Sequence, residues 1–434
     1  MRIAIFGLGY VGCVSGACLA KMGHSVIGVD VSPGKLDMIR RGESPIIEPG
    51  LDDLLAEMVK KEQFTVTSDP AEAIRETDIS MICVGTPSKL NGDLDTSYID
   101  RVIEQIGAVI KDINHYHVVT IRSTLLPGIV NTRVIPFLES ASGKKAGQDF
   151  GFCVNPEFLR ESTAISDFQT PPFTVIGEFN KESGDILQKV YEDLPAEVYR
   201  VEPEAAAMVK YASNAYHAVK VVFGNEIGSI CKSLGIDGQR VMEVFCKDKQ
   251  LNISKAYLRP GFAFGGSCLP KDVRAIQYTA KHRDIQVPLL SSLIPSNDSH
   301  IQRAVETIFA HGKRKVALLG LSFKPGTDDL RESPMVRFAE TLIGKGYSLR
   351  IFDEEVSLSN LFGRNRDYIE KVLPHIHEVL RTDLSACIEE AEVVIVAKEL
   401  SDMEKVRSAL REDQVVLDLL GSRDWSPAQS ASIV

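Results

Sequence analysis

Residues 1–30 read MRIAIFGLGYVGCVSGACLAKMGHSVIGVD, and the fold turns on how they are parsed. Arg2 to Phe6 is a strand-like run. It leads into Gly7-Leu8-Gly9-Tyr10-Val11-Gly12, a helical stretch to about Met22, and a second strand-like run from Ser25 that ends in Asp30. A GxGxxG on its own is weak evidence. Here it follows a strand, opens a helix and has an acid 18 residues after its last glycine, which together give the dinucleotide-binding fingerprint. Each glycine has its own task. Gly7 makes the turn, Gly9 lets the backbone meet a pyrophosphate at the helix N-terminus, and Gly12 lets the helix pack on the strand. Asp30 would accept ribose hydroxyls and repel a 2′-phosphate, so NAD is expected over NADP.

Further strand candidates follow at 79–84, 118–122, 151–154 and 173–176, separated by helical stretches, as a doubly wound sheet requires. Two of them end in short polar turns carrying Thr86 and Thr124. Ligands sit beyond the carboxyl ends of parallel strands, so both threonines are candidates to touch cofactor or substrate, or else serve as turn residues. From Glu204 to about Ser233 runs a helical pattern without proline. At 1.5 Å per residue it spans roughly 45 Å, long enough to link two domains and to offer a surface to a partner chain. Lys210, Asn214, His217 and Asn225 fall in one stripe about 80° wide. It carries a single charge, unlike a solvated face rich in Lys and Glu, and reads as a functional wall.

Beyond the two prolines of 287–296 the pattern restarts, with strands at 315–320, 349–353, 393–397 and 415–419 and a helix at 333–345. The fold class expected is therefore α/β, with two Rossmann-like doubly wound domains joined by a long central helix and a small helical domain. The expected boundaries are 1–202, 203–300 and 301–434. The second unit's first turn reads Gly-Leu-Ser-Phe-Lys-Pro-Gly, so it should not take a dinucleotide in the usual pose. A nucleotide held by Lys324 fits the same topology by analogy.

A chain of 434 residues, 44% hydrophobic and 25% charged, suits a globular protein of two or three domains. No apolar run approaches the roughly 18 residues needed to cross a bilayer. The N-terminus enters a strand at once, without the elements of a signal peptide, which predicts a cytoplasmic protein. A net charge of −10 argues against general nucleic-acid binding. The eight cysteines show no metal-like spacing, and His375 and His377 lack nearby ligands, so no metal is expected. Seven cysteines read as free and mostly buried. Cys268 stands apart, in FGGSCLPKD, because two glycines suit a tight loop against a ligand better than a core.

The motifs GLGYVG, GTPS, STLLPG, NPEFLRE, FGGSCLPKD and GLSFKPGTDDLRESP, in this order over nearly the whole chain, resemble the nucleotide-sugar 6-dehydrogenase family, which includes the UDP-glucose and GDP-mannose dehydrogenases. The stretches SPIIEPGL, VGTPSKLNGDLD, NPEFLRESTAI and RPGFAFGGSCLPKDVRA are most similar to members acting on GDP-mannose. One departure is that Ala256 precedes Tyr257 where a tyrosine pair is the family pattern. The resemblance implies oxidation of the sugar C6 alcohol to a carboxylate in two steps, with two NAD and a covalent intermediate on Cys268. Lys271 beside the thiol would favour its thiolate. Lys210 and Asn214 would stabilise charge on the sugar oxygen, Asp272 would pair with Lys210 and orient water, and Thr124 would position that water. Glu157 would serve water or proton transfer and Glu161 the substrate, on one helical face if Pro156 starts a helix.

Substrate contacts implied are Glu161, Lys210, Asn214, His217, Asn225, Tyr257, Arg259, Phe262, Gly265 and Lys324. Cofactor contacts implied are Tyr10, Val11, Asp30, Lys35, Thr86, Thr124, Lys271 and Arg331, although Arg331 can equally pair with the adjacent aspartates. Arg259 reaching a neighbour's site implies a homodimer with shared active sites. The uronic acid product would feed an exopolysaccharide such as alginate. Three rivals stay open: a UDP-glucose 6-dehydrogenase, a single-step dehydrogenase yielding one NADH, and a non-catalytic NAD-binding sensor in which Cys268 is oxidised.

Overall fold

The computed structural model describes residues 1–87, 94–254, 262–266, 269–312, 314–322, 330–356, 369, 371–374, 376–420 and 430–432. They form two units, Met1–His217 and Ala218–Val434. In the first, β1 (Arg2–Phe6), α1 (Tyr10–Lys21), β2 (Ser25–Val29), α2 (Pro33–Arg40), α3 (Leu51–Lys60), β3 (Phe64–Thr67), α4 (Pro70–Glu76) and β4 (Ile79–Ile82) come in alternation. Next are α5 (Ser97–Ile110), β5 (Val118–Ile121), α6 (Ile135–Ser142), β6 (Gly151–Val154), α7 (Ala164–Gln169), β7 (Thr174–Glu178), α8 (Lys181–Val190) and β8 (Val198–Val201). Strand order is β3-β2-β1-β4-β5-β6-β7-β8. All neighbours are parallel except β6 and β7, which pair antiparallel. The first six strands have the dinucleotide-fold order, and its switch point lies between β1 and β4. Helices cover both faces, so β4, β5 and β6 are buried at every residue, as parallel strands between helix layers must be.

The long helix α9 (Pro203–Ser233) starts in the first unit, and the unit boundary falls inside it. In the second unit, α10 (Gly238–Phe245), α11 (Leu269–Lys281) and α12 (Pro288–His311) follow. The buried Glu226 side chain accepts from the backbone N–H of Leu289 (2.8 Å) and Leu290 (3.0 Å). It thereby satisfies two donors that the start of α12 would otherwise leave orphaned. Then come β9 (Lys315–Leu319), α13 (Pro334–Gly344), β10 (Ser348–Phe352), β11 (Leu380–Arg381), β12 (Val393–Val396), β13 (Val415–Asp418) and β14 (Ser430–Ser432), in the order β11-β10-β9-β12-β13-β14. All these strands are parallel, and the order repeats that of the first six strands of the first unit.

Among the described residues no helix is long and apolar enough to cross a membrane. Seven cysteines are described as free; six are buried and Cys246 is exposed. Burial pushes the thiols of Cys13, Cys18, Cys83, Cys153 and Cys387 up to about 12, which leaves them unreactive at neutral pH.

Candidate active site

The turn after β1 has the geometry its glycines imply. Gly7 has φ +95°, and its N–H donates to Val29 O at 2.8 Å. A Cβ on Gly12 would lie 1.9 Å from Gly7 O, whereas one on Gly9 would meet no protein atom within 4 Å. Gly12 is therefore required by packing, and the backbone at Gly9 is open to an approaching group. Asp30 follows β2. Its carboxylate accepts from Leu8 N–H (2.8 Å) and Ser32 N–H (2.9 Å), and Lys35 Nζ stands 3.5 Å away. Each carboxylate oxygen accepts from one backbone N–H and keeps capacity for a ribose hydroxyl. The open turn, the helix N-terminus at Tyr10 and Val11, and this acid fit NAD. Thr86 and Thr124 lie half-buried just past β4 and β5, beyond the strand ends.

Lys210, on α9, is buried. Its Nζ donates to the backbone oxygen of Glu157 (2.7 Å) and to Oε1 of the same residue (2.9 Å), and it lies 5.5 Å from the centre of the Phe158 ring. Its carboxylate partner is thus Glu157. Asp272, expected as a partner of Lys210, belongs to the second unit, where it forms an exposed pair with Lys271 at 3.3 Å. A cavity of about 390 Å³ opens here, lined by Glu157, Phe158, Lys210, Asn214 and His217 among others. The stripe's first three members therefore share one wall. Asn225, also on α9 and exposed, belongs to the second unit.

Pro156 does not start a helix. Residues 155–160 have no regular structure, and α7 begins only at Ala164, so Glu157 and Glu161 are not an i,i+4 pair on one helical face. The cause is competition for backbone donors. Asn155 N–H continues the sheet to Ile121 O (2.8 Å), Leu159 N–H goes to Glu157 Oε2 (2.7 Å), and Arg160 N–H goes to Asp167 Oδ2 (2.9 Å). Side chains have taken the protons that a helix would use. The start of the loop is fixed by the buried Arg122, whose guanidinium donates to Asn155 Oδ1 (2.6 Å), Tyr191 OH (3.2 Å) and Ser15 Oγ (3.1 Å). Glu161 is exposed at the loop's end.

In the second unit, Phe262 packs edge-on against Phe338 at 6.2 Å and tilted against His300 at 5.8 Å. A Cβ on Gly265 would stand 2.4 Å from Glu332 O and 2.5 Å from Pro334 Cδ. Gly266, at φ +84°, donates to Glu332 O at 3.4 Å. Gly265 is thus dictated by the chain lying against it, and Gly266 by its left-handed backbone. Lys271 and Asp272 stand in the first turn of α11. Arg331 is half-buried ahead of α13. Tyr257, Arg259, Cys268 and Lys324 lie outside the described residues, as do Ala256 and the aspartates beside Arg331. Among the described residues no group of acids, histidines and cysteines forms a metal site.

Three further polar groups organise the structure: Arg122 with its partners, Glu48, and Lys398. Lys398, 2% exposed, donates to Asp353 Oδ1 (2.6 Å), Ser322 Oγ (2.8 Å) and Glu355. SPIIEPGL carried a signal for Glu48 in its resemblance alone. Nothing in the sequence distinguished Lys398 from a surface lysine.

A dinucleotide turn on one doubly wound unit, an ion-paired lysine on a cavity wall and a second doubly wound unit define an NAD-dependent dehydrogenase. The chain belongs to the UDP-glucose/GDP-mannose dehydrogenase family. That family's NAD binding domain matches residues 1–195, its central domain 204–299 and its UDP binding domain 317–423. The chain is 55% identical to GDP-mannose 6-dehydrogenase of Pseudomonas putida over 421 residues, 97% of this chain and 96% of the relative. It is 32% identical to UDP-glucose 6-dehydrogenase TuaD of Bacillus subtilis, over 96% of this chain and 88% of the relative. Its structure matches that of a ternary complex of GDP-mannose dehydrogenase from Pseudomonas aeruginosa with TM-score 0.96 and 51% identity, covering 100% of both chains.

Proposed function

We propose that this chain oxidises GDP-mannose at C6 to GDP-mannuronate, one water and two NAD giving one carboxylate, two NADH and three protons. The observation that carries the reading is the buried Lys210–Glu157 pair on a cavity wall shared with Asn214 and His217, in the unit that holds the dinucleotide turn. The choice of sugar nucleotide is supported by the identity figures, 55% against 32%.

NAD, when bound, supplies the hydride acceptor for both oxidations. Lys210 and Asn214, one helical turn apart, meet the negative charge that develops on the sugar oxygen, a donor role commonly worth about 3 kcal/mol. Glu157 sets the position of the Lys210 ammonium and can take a proton from it or from water. Lys271, three residues after Cys268 in the sequence, favours the thiolate. The Cys268 sulfur adds to the aldehyde carbon as a thiohemiacetal and, after the second oxidation, holds the sugar as a thioester. Water, oriented by Thr124 and Asp272, cleaves the thioester to the free acid and the thiol. Lys324, Arg259 and Tyr257 serve the nucleotide end, and Arg331 and Lys271 the cofactor.

A second copy of the chain is the partner this reading requires, with Arg259 reaching the neighbour's site. Met208, Val219 and Val222 on α9 and Val244 on α10 are exposed, Val244 at 61%, and a homodimer would cover such side chains. The free thiols among the described residues suit a reducing compartment, which supports a cytoplasmic location. Its uronic acid product suits an exopolysaccharide such as alginate.

The test is NADH yield with GDP-mannose, UDP-glucose and UDP-N-acetylmannosamine, for the chain as given and for Cys268→Ser. Two NADH per GDP-mannose, little turnover of the UDP sugars and loss of acid formation in the variant are expected. One NADH per sugar would instead fit a single-step dehydrogenase. NAD binding with no turnover would return the sensor.

A further inference from the structure

Glu48 lies in Ser44-Pro45-Ile46-Ile47-Glu48-Pro49-Gly50, a stretch to which the proposed reaction gives no task. It is 5% exposed. Its Oε1 accepts from Ala164 N–H at 2.8 Å, its Oε2 accepts from Ser162 N–H at 2.8 Å, and Oε2 also accepts from the Tyr10 hydroxyl. No lysine, arginine or histidine forms an ion pair with it among the described residues, so this carboxylate is held by hydrogen-bond donors alone. Burying a charge in that way is costly unless several donors are fixed in place.

What those donors belong to gives the group its meaning. Tyr10 is the first residue of α1, whose N-terminus forms the dinucleotide turn. Ser162, at φ +71°, is a non-glycine residue in the left-handed region. It follows Glu161 directly and closes the loop that begins at Glu157. Tyr10 also reaches Arg160 O at 3.3 Å. The peptide groups on both sides of Glu161 are therefore tied to one tyrosine–glutamate pair, and that tyrosine lies where the cofactor pyrophosphate would rest. Burial, together with Glu48 beside it, holds the Tyr10 hydroxyl well above the usual tyrosine range, so it stays a proton donor at every working pH.

We propose that Glu48 is a positioning residue that couples occupancy of the dinucleotide turn to the shape of the Glu157–Glu161 loop, so that NAD tightens the grip on the sugar. This rests on the reading of that loop as the sugar site. GDP-mannose is titrated into the full chain with and without NADH, which cannot accept a hydride and so prevents turnover. NADH is expected to tighten sugar binding about tenfold, within the usual range of such couplings. Tyr10→Phe, which loses only the hydroxyl, should reduce that factor below about twofold when the wild-type and variant titrations with NADH are both made at saturating NADH. Glu48→Gln should raise KM for the sugar about tenfold, and Tyr10→Phe added to it should change nothing more, because the two side chains share one bond.

No effect of NADH in the wild type, a wild-type factor in Tyr10→Phe, or independent multiplication of the two variants would each overturn the proposal. A Glu48→Gln chain that lowers only the melting temperature would do so too. If Glu48→Gln does not fold, Tyr10→Phe decides alone. If the wild type turns over UDP-glucose instead, the substrate reading fails, and the same titrations with UDP-glucose still decide the coupling.

Discussion

Replacing Gly265 by alanine tests whether the backbone of the second unit positions the loop that carries Cys268. The added Cβ would stand 2.4 Å from Glu332 O, 2.5 Å from Pro334 Cδ and 3.3 Å from Pro334 N. Ordinary Cβ contacts lie at 3.4–4 Å and essentially none fall under 3.0 Å, so an ordinary contact requires a retreat of about 1 Å. The Glu332 side is poorly able to do so. Its side chain is bound by Arg274, and the adjoining Ser333 is buried, donates to Leu321 O at 2.7 Å and accepts from Met335 N–H at 3.2 Å as the cap of α13. The strain therefore falls on the loop three residues before the sulfur. Overpacking of this kind costs about 1–3 kcal/mol, and a misplacement of about 1 Å costs about 100-fold in rate. Stopped-flow NADH formation should show kcat lowered by about that factor. Alkylation of the Cys268 thiol by iodoacetamide should also slow. Gly344→Ala, whose Cβ meets nothing within 4 Å, is the control. Wild-type kcat and melting temperature in Gly265→Ala would refute the packing argument.

Other perturbations have equally definite outcomes. Gly12→Ala puts a Cβ 1.9 Å from Gly7 O and should abolish NADH binding in a fluorescence titration; retained affinity would mean that the turn has another conformation in solution. Lys398→Met leaves Asp353 buried without its cation and should cost about 3–5 kcal/mol in urea unfolding. The double change with Asp353→Asn should recover most of that loss, and equal losses in both would show that the ion pair is not the cause. His117 is held neutral in the fold, its pKa pushed down to about 4 first by burial, with Nδ1–H donating to Thr77 O and the Ser80 hydroxyl donating to Nε2. On acidification the unfolded chain takes up this proton first, near the ordinary 6.5. Stability should therefore fall between about pH 6.5 and 4, by about 2 kcal/mol from pH 7 to 5. An NMR titration midpoint near 6.5 for this ring would contradict it.

The sequence was most legible where one local pattern answers one physical demand. GLGYVG followed by Asp30 announced the turn, and the apolar runs announced β1, β2, β4, β5, β6, β7, β9, β10, β12 and β13 to within a residue or two. The edge strands β3, β8, β11 and β14 were passed over. β3 and β8 are four residues long and only partly buried, and β11 has two residues, so little apolar signal marks them. The Glu157–Glu161 segment failed for a different reason. Proline followed by two acids four apart fits a helix start, but the donors it needed were taken by Glu157, Asp167 and Glu48, the last of these more than a hundred residues away. Long-range competition of that kind leaves no mark in local spacing. Lys210 and Asn214 were legible because helical periodicity places them on one stripe. The carboxylate facing Lys210 was not, because it arrives from a loop.

The two doubly wound units also show why only one has the dinucleotide geometry. Gly320, at φ +103°, repeats Gly7, and its N–H donates to Phe352 O at 2.8 Å as Gly7 N–H does to Val29 O. Asp353 repeats Asp30, accepting from Leu321 N–H at 2.7 Å and Ser322 N–H at 3.0 Å. The difference enters after the fourth strand in each sheet order. At Gly7 the neighbour is Val84, an apolar side chain. At Gly320 it is Lys398, whose Cβ would lie 2.4 Å from an added Cβ there and whose ammonium pairs with the Asp353 carboxylate. The acid that would otherwise accept ribose hydroxyls is thereby neutralised: burial raises the Asp353 pKa, and the lysine and backbone N–H donors outweigh it to hold the group below the usual carboxylate range. A single cation just past an adjacent strand thus converts an acceptor site into an internal brace. It leaves the Leu321-Ser322 turn anchored at the point where the chain enters the segment bearing Lys324.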